Sequence, residues 1–235
     1  MNIAVCDDDR NIRELIGSKV KKQYEKANIV YFTSGEEVLL WNETIDIIVV
    51  RNVGSVELNF DLLQSYLDIL INDYKGIVLN NAKSMKKGMT KDYLLEIDSQ
   101  YLNKIGINTI PTKKYDKTSR AEEILGDYSN PENYLIKPIT GELSNSIKVL
   151  SEIDESFLRW KEKKVGGWIV QPIIKDIWNG EYQLVFINGE LSYAQSKVYL
   201  KEDKEKIPTQ KDRTICKFFP SEADIIKGKK LIDYM

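Results

Sequence analysis

Short apolar runs alternate with longer amphipathic stripes along the first part of the chain. NIAVCDD is an apolar run that ends in acids, the pattern of a strand buried in a parallel sheet. Residues 10–27 then carry Ile12, Leu15, Ile16 and Val20 at helical spacing. NIVYFT predicts a second strand. SGEEVLLW opens on Ser34, a suitable N-cap, with Glu36 and Glu37 in the first turn, where the helix dipole favours acids. IDIIVV predicts a third buried strand, residues 59–73 (Phe60, Leu63, Leu67, Leu70, Ile71) a further helix, and KGIVLNN a fourth strand. Strand, helix, strand, helix, strand makes an α/β fold with a parallel sheet, Rossmann- or flavodoxin-like. Such sheets gather ligand groups at the C-terminal ends of their strands.

The pattern then changes. Residues 90–104 predict a helix that ends at Gly106, a C-terminal signal. INTIPT reads as extended, and DKTSRAEEILGDYSNPE as a short helix with loops. NYLIKPI and GWIVQPI predict strands. GEYQLVFINGELSYAQSKVYL predicts two strands around Asn188-Gly189, a strong hairpin signal. KEDKEKIPTQKD is a charged surface loop. The order moves from α/β to mixed α and antiparallel β between residues 80 and 110, which places two domains at 1–82 and 83–235.

Composition narrows the chemistry. The 235 residues are 42% hydrophobic, enough for a core. Lys plus Arg number 34 and Asp plus Glu 36, so the charge is balanced at −2 and no nucleic-acid partner is expected. The start has no basic region followed by a long apolar run, and no stretch reaches the ~18 apolar residues of a membrane span. The expectation is a cytoplasmic protein with no membrane partner, its Cys6 and Cys216 held as reduced thiols or joined in one disulfide. Histidine is absent, which removes Ser-His-Asp triads, histidine bases and most zinc sites. Carboxylates, lysines, arginines or a bound metal ion must carry any chemistry. The 13 tyrosines are scattered and suit packing, not a base-stacking platform.

The candidates follow from that restriction. Lys137 is an ammonium inside the apolar run NYLIKPI; it either lines a site or snorkels from a sheet edge. Asp7 and Asp8 end the first strand, as helix N-caps, solvent acids or metal ligands. Arg51 ends the third strand. It binds a substrate carboxylate or pairs with Asp7 or Asp8.

Two family resemblances are carried by these stretches. Over the first 50 residues, IAVCDDD and FTSGEEVL resemble the receiver domain of bacterial response regulators, of the kind that precedes LytTR domains. That resemblance implies a metal-binding pair at Asp7 and Asp8 and a phosphate-contacting Lys137. Arg51, however, stands where a receiver has its phosphoacceptor aspartate, and an arginine has no nucleophilic oxygen. Without that aspartate, the implied function is a pseudo-receiver signalling or interaction module.

Over residues 48–235 the chain resembles the ATP-grasp family, in its glutathione-synthetase-like and cycloserine-ligase-like branch. The stretches that carry this are VVRNVGS, VLNNAKSMKKGMTKDYLLEIDSQYLNKIGINTIPT, YLIKP and WIVQPIIKDIWNGEYQLVFINGELSYAQSK, in that order. The resemblance implies a pre-ATP-grasp α/β domain followed by an α+β ATP-grasp-like domain, with a lid lobe at about 112–172 and a core lobe at about 173–235. It implies ATP and Mg²⁺ as cofactors, small-molecule carboxylate and amine substrates, and an acyl-phosphate mechanism forming carbon–nitrogen bonds. Lys137 is then the phosphate lysine, and Trp168, Ile169, Val170 and Gln171 the hinge strand at the base. Glu181, Lys91, Lys117 and Arg120 are further nucleotide contacts, and Lys197 and Arg213, with Arg51, face substrate. Lys91 and Glu181 also suit ordinary surface pairs. The loop after Lys137, ITGELSNSI, has one glycine where the family has a glycine- and serine-rich loop. The family's metal-ligand strand would begin near KKLIDYM, so the expected core lobe lacks its last part and with it the metal-binding carboxylates, and the resemblance leaves open either an active ligase or an inactive nucleotide-binding remnant. The edge strand this leaves invites a partner, such as a homo-oligomer.

Overall fold

The computed structural model describes residues 1–7, 9–41, 44–50, 56–140, 146–162, 166–187, 189–199 and 213–234 of the chain. It divides into two compact units, Met1–Lys91 and Asp92–Met235.

The first unit is a four-stranded parallel sheet of β1 (Asn2–Cys6), β2 (Asn28–Phe32), β3 (Ile47–Val50) and β4 (Ile77–Leu79), in the order β2-β1-β3-β4. Its helices are α1 (Arg10–Gln23), α2 (Gly35–Leu40), α3 (Val56–Asn72) and α4 (Ala82–Gly88). Alternate residues of the sheet, Ala4, Cys6, Phe32, Ile48 and Val50, share one core with Val38 of α2 and Leu70 of α3. Ser34 caps α2 as its sequence predicts, accepting from the Glu37 N–H at 3.3 Å. The cap of α1 is Asp9, one residue past the acidic pair: its carboxylate accepts from the Asn11 and Ile12 N–H groups. Asp7 is buried and its carboxylate accepts from the Asp9 N–H at 2.9 Å, while Asp8 lies outside the described residues.

The single helix predicted over 90–104 is broken. A 3-10 turn spans Asp92–Leu95 and α5 spans Ser99–Lys104. The break has a local cause: Asp98 uses its carboxylate on the Gln100 and Tyr101 N–H groups, which starts a new helix and ends any approach from before it. In the same way Asn81 opens α4, a helix not read from the sequence, by accepting from the Lys83 and Ser84 N–H groups.

The second unit holds two antiparallel sheets. In the first, β5 (Lys113–Tyr115), β6 (Tyr134–Pro138), β7 (Lys148–Val149) and β8 (Trp168–Pro172) run in the order β5-β8-β6-β7. One face of it packs on α6 (Ala121–Gly126) and α7 (Glu155–Glu162), around Trp168, Val170, Ile136, Ile124 and Phe157. Gly167 enters β8 at φ +134°, and a Cβ there would stand 2.5 Å from the Tyr115 carbonyl oxygen, so only glycine lets β5 and β8 close up.

The second sheet is β9 (Glu181–Ile187), β10 (Glu190–Tyr199) and β11 (Arg213–Lys217), with β10 central. The predicted hairpin is present, with Gly189 at φ +77°. The residues expected near a metal-ligand strand instead close α8 (Glu222–Tyr234). That helix packs its Gly228 against the Phe186 ring of β9 and stacks Tyr234 on Tyr101 at 5.1 Å, where the Tyr234 hydroxyl accepts from the Asp98 N–H. Both cysteines are thiols: Cys6 is buried in β1 and Cys216 is exposed on β11. No described helix is long and apolar enough to cross a membrane.

Candidate functional site

The strand that carries Lys137 settles which sheet it serves. A receiver fold would place it beside β1 in the parallel sheet; β6 instead pairs with β7 and β8 in an antiparallel sheet of the other unit.

Strand register decides what stands beside Lys137. Lys137 is opposite Ile169, and Ile169 is opposite Lys114 on the far strand. Residues directly opposite share a face, and alternate residues point to opposite faces. Trp168, Val170, Ile136 and Tyr115 all face the α6–α7 core. Lys114, Ile169 and Lys137 therefore form a row across the other face, and Thr112, Gln171 and Leu135 follow beside it. Ile169 is fully buried without belonging to that core, so its face too is covered.

Lys137 is half-buried, and burial alone pushes its ammonium below the ordinary lysine pKa. Among the described residues no carboxylate or other acceptor pairs with it. Gln171 is buried and donates to the Thr112 hydroxyl at 2.7 Å, which fixes its amide and aims its carbonyl oxygen elsewhere. The four hinge candidates thus separate. The side chains of Trp168 and Val170 are core, and those of Ile169 and Gln171 line the Lys137 face. Over Trp168–Val170 the strand is paired on both sides, so its backbone groups are taken up by neighbours; beyond Val170 the β5 side carries no described partner strand.

The second sheet builds a charged face of its own. Glu181 and Lys197 are opposite one another on β9 and β10, and Lys197 Nζ reaches a Glu181 carboxylate oxygen at 2.5 Å. Two residues along, Tyr199 is opposite Arg213 of β11, which puts all four on one face. Burial, and after it the Glu181 charge, hold the Tyr199 hydroxyl above its usual pKa. Trp178, in the 3-10 turn Lys175–Asn179 that joins β8 to β9, sets its ring edge-on to Tyr199 at 6.2 Å.

The remaining candidates are dispersed. Lys117 is exposed in the turn after β5, and Arg120 precedes α6, where its N–H donates to Glu123 at 3.2 Å. Neither is in the Lys137 row. Lys91 is the last residue of the first unit. Arg51 and the glycine of the loop after Lys137, Gly141, lie outside the described residues. Among the described residues no group of three or more acids or cysteines could hold a metal ion. Two residues of these faces, Lys114 and Tyr199, were not singled out from the sequence. Strand alternation in PTKKY does distinguish Lys113 from Lys114, but only the register with β8 says which one turns toward Lys137.

No family model and no curated protein matches the chain. Solved structures do. The chain is similar to D-cycloserine synthetase DcsG at 15% identity and a TM-score of 0.65, over 97% of this chain and 79% of that one. It is similar to the D-alanine–D-alanine ligase of Bacillus anthracis complexed with ATP, at 14% identity and a TM-score of 0.63, over 100% of this chain and 77% of that one. It is also similar to the ATP-grasp ligase PsnB, solved with a phosphomimetic variant of its minimal precursor, Mg and ADP, at 10% identity and a TM-score of 0.60, over 99% of this chain and 81% of that one. At such identities the likeness is one of fold. It extends over 97–100% of this chain, and no comparison matches the first 50 residues to a receiver domain.

Proposed function

We propose that this chain, built on the fold of the ATP-grasp ligases, is an ATP-dependent ligase that joins a carboxylate to an amine. The observation that carries the proposal is Lys137: a half-buried ammonium on the face of β6 turned away from the core, with no acceptor among the described residues. A buried charge without a counterion is costly, and a phosphate group would relieve that cost. Gln171 and the backbone beyond it offer polar groups to the base edge. Glu181 offers a carboxylate acceptor to the nucleotide. Lys197 and Arg213 supply positive charge for a substrate carboxylate or its phosphorylated form. Lys117, Arg120 and Arg51 are not needed for this assignment.

The reaction balances as follows. A carboxylate oxygen of the first substrate attacks the γ-phosphorus of ATP; the bond to the β-phosphate oxygen breaks and ADP leaves. The acyl phosphate then loses inorganic phosphate to attack by the amine nitrogen on the acyl carbon, and the nitrogen gives up a proton. The protein's part is positioning and charge stabilisation in a site where water is displaced. Mg²⁺ bound to ATP would neutralise phosphate charge. The described residues do not themselves assemble a set of ligands for it, so no step is assigned to a protein-held metal.

Calorimetric titration of ATP, with and without Mg²⁺, tests this on the wild-type chain and on Lys137→Ala. The wild type should bind. Lys137→Ala should bind at least tenfold more weakly, since a charge-assisted hydrogen bond contributes about 1.5–3 kcal/mol. Unchanged affinity would remove Lys137 from the site, and absence of wild-type binding in both titrations would overturn the ligase proposal. A screen of carboxylate and amine pairs for ADP release would then identify the substrates.

A further inference from the structure

The lysines of PTKKY point to opposite faces of their strand and have different partners. Lys113 turns to the core side, where its ammonium and the Tyr115 hydroxyl both donate to Asp127 at 2.7 Å and tie α6 to β5. Lys114 turns to the Lys137 side. Its ammonium is 2.7 Å from Asp92, at the start of the 3-10 turn that opens the second unit. Both members of this pair are well exposed, with side chains at 40% and 37% of their full accessibility. Water therefore screens the pair, and such exposed pairs hold weakly.

Lys114 and Lys137 stand on the two sides of Ile169 in one row. Two strand spacings separate them, roughly 10 Å at the Cα atoms. Both side chains are long and flexible enough to lean toward the middle of the row. Ile169 between them is fully buried, so a polyphosphate would meet the two ammonium ends and not the isoleucine; its several anionic groups can engage both at once. Resting on the ATP assignment above, we infer that Lys114 is a second phosphate-binding residue and that Asp92 is its exchangeable counterion, released when the nucleotide binds. Asp92 occupies the cation in the absence of ligand and competes with the phosphate for it. The device gives the wall a second positive charge for ATP without leaving it unpaired in the empty site.

The inference makes an asymmetric prediction that a purely structural ion pair does not. Lys114→Ala and Asp92→Asn both break the pair and should lower the melting temperature of the unliganded chain by similar amounts. Their effects on ATP should have opposite signs. By calorimetric titration, Lys114→Ala should weaken ATP binding about threefold to tenfold, the loss of one partly screened charge contact. Asp92→Asn should tighten it by about twofold to fivefold, because the competing carboxylate is gone. Lys114→Arg should keep most of the affinity. The affinity of Lys114→Ala should also fall less steeply with added salt than that of the wild type.

If both variants leave ATP affinity and its salt dependence unchanged, or if Asp92→Asn weakens binding as Lys114→Ala does, the exchange is refuted. Lys137→Ala separates the two levels. Loss of binding there with unaffected Lys114 and Asp92 variants refutes the exchange alone and leaves the ATP site standing. A wild-type chain that binds no ATP refutes both.

Discussion

Burial holds the Lys137 ammonium below the ordinary lysine pKa, and this has consequences of two signs. An unfolded lysine keeps its proton to about pH 10.4. Between the depressed folded pKa and that value the unfolded state binds more protons, so the contribution of this residue to stability rises with pH. Phosphate affinity runs the other way, because the group that attracts the anion is lost as pH rises. ATP binding should therefore weaken toward the alkaline side, beginning below the pH at which an ordinary lysine titrates. Titrations from about pH 7 to about pH 10 would show it, and Lys137→Arg, which stays charged, should flatten the profile over the same interval. An equally steep profile in the arginine variant would assign the effect to another group. With no histidine in the chain, no side chain with an ordinary pKa near neutrality competes for that assignment. Lys137 was legible in the sequence because an ammonium inside an apolar run is conspicuous. Lys114 was not, since a lysine in a polar stretch resembles any solvated charge until its strand is paired.

Among the elements, those with strong local signals formed where the sequence places them: the strands of the parallel sheet, the cap at Ser34 and the hairpin at Gly189. Errors arose where a side chain competes for backbone groups, as at Asp98, or where a glycine interrupts an amphipathic stripe. The clearest case is α8. Gly228 lies inside it and weakens the helical pattern, since glycine costs about 1 kcal/mol in a helix interior. Its presence is explained by packing. A Cβ at this position would stand 2.5 Å from the end of the Phe186 ring, so glycine lets the helix approach the sheet. Gly228→Ala should consequently lower the melting temperature despite its better helix propensity. The same substitution made with Phe186→Leu should cost less or become stabilising. A stabilising Gly228→Ala in the wild-type background would mean the ring moves aside freely and packing does not select the glycine.

At the level of the molecule, the buried clusters follow the two units. The core around Trp168 draws only on residues of the second unit, while those around Ala4 and Leu67 draw only on residues of the first. Calorimetric unfolding should accordingly resolve two cooperative transitions. Leu67→Ala, which opens a cavity costing about 2–5 kcal/mol, should lower one of them, and Trp168→Leu the other. ATP should raise the transition sensitive to Trp168, because a ligand stabilises the unit that holds it. One transition moved equally by both substitutions would mean the chain unfolds as a single block. The change of hydrophobic pattern suggests a boundary at 82/83, whereas the compact units meet at 91/92, and the face on which each strand residue lies required the register. The contrast between the two thiols supplies a practical opening for these experiments. A maleimide fluorophore applied to the native chain should attach at Cys216 and be refused at Cys6, giving one dye per molecule with no engineered cysteine. The dye would sit opposite Ser196, so the wild-type protein carries its own optical probe on the face of its second sheet turned away from Lys197 and Arg213.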